Sequence, residues 1–169
     1  MMNRLVMWVS LLACAMIQGM LPSWQSMGQA KPPLLLGAVI YYALSRENTL
    51  YLEAAILAGL LQDSLDLTPH GFSVLAFVTV GLLVHQYRDR VFGEHWFTHI
   101  MLGVACSVLV TFILYILLVG GSLRKDIPFS FVLTKALGMS LLGIVIIPLV
   151  YKSVETLDHA MGNVRRGEI

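Results

Sequence analysis

"LAGLLQDSLDLTPHGFSVLAF", residues 57–77, sets two aspartates three positions apart between two strongly apolar runs. Pro69 suits the first position of a following helix, and Gly71 permits a tight turn. The stretch therefore reads as one apolar helix, a compact corner and a second apolar helix. The nature of those helices follows from the rest of the chain. Its 169 residues are 57% hydrophobic and 12% charged, with a mean hydropathy of +0.79. A soluble domain carries about 25% charged residues. So few charges cannot cover the surface of a water-soluble fold of this length. The reading is an all-α integral membrane protein, a single domain over residues 1–169.

A helix needs about 20 mostly apolar residues to cross the hydrocarbon core. Six segments approach this: 5–21, 33–44, 50–67, 72–87, 97–120 and 129–151. The second, "PPLLLGAVIYYAL", is short enough to be re-entrant instead of a full span. Arg4 followed by "LVMWVSLLACAM" resembles a secretory signal, and "LLAC" a lipoprotein cleavage site. The apolar run continues through "AMIQGML" into more membrane sequence, so an uncleaved first span is expected. With six spans and a cytoplasmic N-terminus, Arg4, Arg46, Arg88, Arg90, Lys152, Arg165 and Arg166 lie inside. Lys31, Arg124, Lys125 and Lys135 lie outside. This bias places both termini in the cytoplasm. A re-entrant second segment would move the N-terminus out.

Catalytic and cofactor signatures are missing. There is no Gly-x-Ser-x-Gly elbow, His-Glu-x-x-His or phosphate-binding loop. Net charge is +1, with no basic block for nucleic acid. Cys14 and Cys106 stand in apolar runs without partners at metal or redox spacing. His95 and His99, beside Trp96, read as interfacial anchors, since zinc would need further ligands. No enzyme activity, cofactor or metal is expected.

Ionisable residues inside the spans face the bundle interior or water and pair with something. At about 1.5 Å per residue, Asp63 lies about 20 Å above Leu50 and Asp66 nearer the outer surface. Residues three apart share a helix face, so both carboxylates point the same way. Lys135 lies about 9 Å below the outer end of the last span, at the level of Asp63. One reading is a buried Asp63–Lys135 pair. The alternative has Lys135 snorkelling to the surface and Asp66 capping the loop. On the inner side, Glu53, His85, Arg88 and His99 fall at similar heights, as a solvated ring of helix ends or a polar cluster. Small residues spaced by four mark packing faces. Ala15 with Gly19, Ala54 with Ala58, Ala55 with Gly59, and Gly103 with Ser107 have that spacing.

These residues resemble the bacterial rod shape-determining MreD family. The resemblance rests on Pro33 before "LLLGAVIYYAL", basic Arg46, "GLLQD" at 59–63 and "TPHG" ending at Gly71, and covers about residues 30–90. Lys135 and His70 depart from the pattern. The resemblance implies a non-enzymatic scaffold of the cell-elongation machinery in the bacterial inner membrane. It would bind MreC directly and, through it, work with the elongation transpeptidase, RodA and MreB in peptidoglycan synthesis. The family is also similar to the six-helix substrate-binding subunits of energy-coupling-factor transporters, which favours six true spans. The competing function is a vitamin-binding subunit of such a transporter, with Trp24, Gln25, Asp66 and His70 lining a pocket. Too few polar groups converge in the sequence for a vitamin-sized ligand. The first and third helices and the "QDSLDLTPHG" corner, with Pro69 and Gly71, are the expected contact or fold-defining elements.

Overall fold

The computed structural model describes residues 2–24, 30–45, 49–66, 69, 71–91, 96–120 and 129–160, with the side chains of all but 2–3, 88–91, 96–99, 129 and 159–160. Six helices run through them: α1 (Met2–Met20), α2 (Leu34–Ser45), α3 (Leu50–Asp66), α4 (Phe72–Val91), α5 (Trp96–Gly120) and α6 (Phe129–Ala160). Apart from one isolated bridge between Trp24 and Ala30, the described residues form no strand. Arg46, Gln25, His70, the "GSLRKDIP" connection and the tail with Arg165 and Arg166 lie outside the described residues. The side chains of Arg88, Arg90, His95, Trp96 and His99 do too.

Helix α2 organises the bundle. A helix that is apolar all round must be covered all round. Every residue from Leu34 to Leu44 is buried. It packs on α1, α3, α4 and α6 and touches α5, which places it on the axis of the bundle. Around it α1, α3, α4, α5 and α6 pack in succession, and α1 also touches α6. The segment read as the weakest span is thus the central helix, and its all-apolar composition is the reason.

Its length has a consequence. Twelve residues rise about 18 Å, against about 38 Å for the 25 residues of α5. A short axial helix cannot fill the ring of longer helices from end to end. The end carrying Lys31 and Asp66 is hollow.

Helix α6 runs on past Tyr151 to Ala160 and contains Pro148. Pro148 cannot donate to the carbonyl four residues back, yet the helix continues. This extension brings Asp158 to Tyr41, whose hydroxyl donates to Asp158 Oδ2 at 2.8 Å. Asp158 is buried, and the Tyr41 ring meets Tyr42 and Tyr151 edge-on at 5.2 and 5.0 Å. Across α5 and α6, Gly103 lies against Ile147, and Gly143 against Ser107. The Gly103–Ser107 pair therefore marks a packing face, on α6.

The outer faces are apolar. Leu133, Leu137, Leu141, Val145 and Leu149 form an exposed stripe along α6, and Leu5, Trp8, Leu12 and Met16 one along α1. In water such continuous surface would drive aggregation; in lipid it is the solvated face. Among the described residues, two helices are long and apolar enough to cross a membrane, over Ile100–Gly120 and Ser130–Asp158.

Candidate functional site

The corner between α3 and α4 is built from both directions. Asp63 is 1% exposed, and both its carboxylate oxygens are engaged. The Gly71 amide donates to Oδ2 at 2.6 Å, and the Ser73 amide to Oδ1 at 3.0 Å. The first N–H groups of a helix have no partner within it and favour negative charge nearby. Asp63 supplies both needs of α4 from the preceding helix. One turn below it, Gly59 meets α4 directly. A Cβ there would come within 2.4 Å of the Val74 Cα. The four-residue spacing puts Gly59 and Asp63 on one face. Glycine lets the two backbones approach, and the aspartate ties the close end.

Gly71 completes the corner at φ +103°, a region L side chains avoid. No atom lies near its missing Cβ, so the demand is conformational and not steric. Pro69 was expected to open the next helix. The helix begins instead at Phe72, and the Pro69 carbonyl accepts from the Phe72 amide at 3.3 Å.

A second set of polar groups links α1, α2 and α3 at the hollow end. Gln18 on α1 is buried. Its Nε2 donates to Gln62 Oε1 at 2.7 Å, and its Oε1 accepts from the Leu35 amide at 3.1 Å. Gln62 Nε2 donates to Asp66 Oδ2. Lys31 Nζ then donates to Asp66 Oδ1 at 2.7 Å and to the Leu65 carbonyl at 3.3 Å. An orphan amide of α2 is thus satisfied by α1, much as those of α4 are by α3. Sequence reasoning passed over Gln18 as part of an apolar run. A lone amide in a span is itself the signal, because its polar atoms must find partners there.

By depth, Lys135 was matched to Asp63. Asp63 accepts from the amides at the start of α4, and Lys135 stands half-buried in the wall of a cavity that Asp66 also lines. Asp66 is the acid of that cavity, and its ion pair is with Lys31. Three apart on a helix gives a common side, not a common direction, and each carboxylate serves a different neighbour. The cavity encloses about 530 Å³ above the N-terminus of α2, bounded by Pro33 and Leu36 below. Among the described residues no Cα of α3 lies within 8 Å of one on α5 or α6, and the cavity lies between them.

Ala15 is buried against the core, and Gly19 of α1 lies against Leu65 of α3. Ala54, Ala55 and Ala58 are fully buried on α3. Small residues therefore line the α1–α3 and α3–α4 seams. Outside the first seam lies a shallow groove walled by Trp8, Leu12, Leu57, Leu60 and Ser64. At the other end Arg4 and Glu53 pair at 2.8 Å on the surface. His85 stacks on Tyr51 at 4.2 Å and lies 3.2 Å from the Ala43 carbonyl. Glu53 and His85 thus make separate contacts in place of one cluster. Among the described residues, no three His, Cys, Asp or Glu side chains gather as a metal site would need.

The sequence model of the family described as rod shape-determining protein MreD matches residues 1–157. The chain belongs to the MreD family. No curated protein and no solved structure matches it. The match extends the resemblance from about residues 30–90 to nearly the whole chain, including α1, α5 and α6. Membership makes this a membrane protein with a role in rod shape determination. In MreD terms, the "GLLQD" and "TPHG" motifs are the two halves of one corner, joined by the Asp63 bonds.

Proposed function

We propose that the chain is a non-enzymatic scaffold of the bacterial cell-elongation machinery that binds MreC in the inner membrane. On this reading all six helices span, both termini are cytoplasmic, and the hollow end faces outward. MreC connects the scaffold to the elongation transpeptidase, RodA and MreB, and so to peptidoglycan synthesis. The observation that carries the proposal is the family match over residues 1–157.

The groove between α1 and α3 is the face we assign to MreC. Trp8, Leu12 and Leu60 are exposed along it, and the small residues beneath hold the two helices together. A partner helix packs in lipid by close fit and not by hydrophobic drive, so a preformed groove between two helices suits it. Leu60→Trp should fill the groove without touching the core. Co-purification with MreC in mild detergent is expected for the native chain and lost for Leu60→Trp. MreC failing to co-purify with the native chain, together with a vitamin found in the purified protein, would favour the transporter-subunit reading instead. The cavity at the hollow end is what recommends that reading.

A further inference from the structure

We propose that the cavity above α2 binds one neutral lipid with a hydroxylated headgroup, a glycosyl diacylglycerol being the simplest, with its acyl portion along α5 and α6. A ligand site encloses about 300–1,000 Å³, is mostly apolar and carries a few placed polar groups. The cavity encloses about 530 Å³ and has that division. Gln62 and Asp66 come from α3 and Lys31 from the connection before α2, whereas Leu114, Leu118 and Val132 come from α5 and α6.

The polar groups are joined to one another without being used up. An ammonium has three donors, an amide two, and each carboxylate oxygen about two acceptor sites. Lys31 directs two donors to Leu65 and Asp66, Gln62 directs one to Asp66, and each Asp66 oxygen accepts once. Among the described residues, a donor on Lys31, a donor on Gln62 and an acceptor site on each Asp66 oxygen are left at the cavity wall. The Lys31 and Asp66 side chains keep 29% and 26% of their surface accessible, so a bound molecule can reach them. A hydroxyl both donates and accepts, and so matches this mixed set. A phosphodiester only accepts, an ammonium only donates, and a trimethylammonium does neither. Charge points the same way. Asp66 is paired with Lys31, and Lys135 in the same wall has an interaction partner of its own within the chain. An ionic headgroup would bring a charge that the wall does not answer, which is costly inside a membrane. A free sugar would leave the apolar side unmatched. A sugar headgroup carrying acyl chains meets both sides, and the surrounding bilayer is its source.

The full chain is reconstituted in nanodiscs of phosphatidylcholine with equal minor fractions of glucosyl diacylglycerol and phosphatidylglycerol. It is then transferred to an amine oxide detergent, which carries no hydroxyl, and native mass spectrometry counts retained lipid. One glucosyl diacylglycerol per chain is expected, in preference to both phospholipids. Asp66→Asn should lower that retention about tenfold, the scale of losing one charge-assisted contact. Glu53→Gln, at the far end of α3, should leave it unchanged. Leu118→Trp, which fills the apolar side, should expel the lipid while the thermal melt shows a folded chain, and it decides the matter if Asp66→Asn does not fold. Equal retention of the three lipids, preference for either phospholipid, or equal loss in Asp66→Asn and Glu53→Gln would overturn the site. So would full retention by a folded Leu118→Trp. Displacement by glucose as effective as by octyl glucoside would overturn the acyl assignment.

Discussion

At the scale of single residues, the two acids of residues 57–77 do different work, and the difference is in what they face. Asp63 serves the Gly71 and Ser73 amides at the start of α4 from a fully buried position. Asp63→Ala leaves both amides without their acceptor. Losing a capping side chain costs about 1 kcal/mol, and stranding buried donors adds about 1–3 kcal/mol. A detergent melt should show that loss, with Asp63→Asn intermediate because its carbonyl still accepts one bond. A melt unchanged in Asp63→Ala would remove the cap from the account. Gly59→Ala is the companion test. Its Cβ would meet backbone that cannot swing away, so overpacking of about 1–3 kcal/mol is expected, with α3 and α4 forced apart. The sequence showed that Asp63 needed a partner inside the membrane, and depth counting found Lys135 at the right level. Beside Asp63 stand the Gly71 and Ser73 amides at the start of its neighbouring helix, eight and ten residues along the chain.

Among the elements, α2 departs most from its sequence reading and explains most of the architecture. Hydropathy identified it and length cast doubt on it. Neither property says that a helix lies on the axis; uniform burial does. Because α2 starts inside the bundle, its first amides need acceptors there, and the Leu34 amide donates to the Pro32 carbonyl at 2.9 Å. Gln18 provides one for Leu35. Gln18→Ala should therefore destabilise the chain by about 1–3 kcal/mol. Gln18→Glu, which keeps an acceptor for the amide, should recover part of that. A detergent melt of Gln18→Ala equal to that of the native chain would show that α2 does not depend on α1. The long apolar helices α5 and α6 were plain in the sequence, since their runs exceed any span requirement. The course of α6 beyond Tyr151 was not, because its last turns are polar outside and held inside by Tyr41 and Asp158.

Across the whole molecule, a hollow end follows from one short helix within a ring of longer ones. The corner at Asp63 and the glutamine-aspartate-lysine chain through Gln18, Gln62, Asp66 and Lys31 fix helix ends around the hollow. The chain thus holds a rigid frame with an apolar exterior, suited to presenting helix faces within a bilayer. Membership of the MreD family gives that frame its biological setting in rod shape determination. Its proposed task is to hold MreC along the α1–α3 groove. Photocrosslinking in growing cells tests this most directly, with a photoreactive residue at Leu12 or Leu60 and, as comparison, at Leu141 or Val145 on the α6 stripe. The account predicts adducts with MreC from Leu12 and Leu60 and none from α6. Adducts from α6 alone, or none from any position while MreC is present, would contradict it.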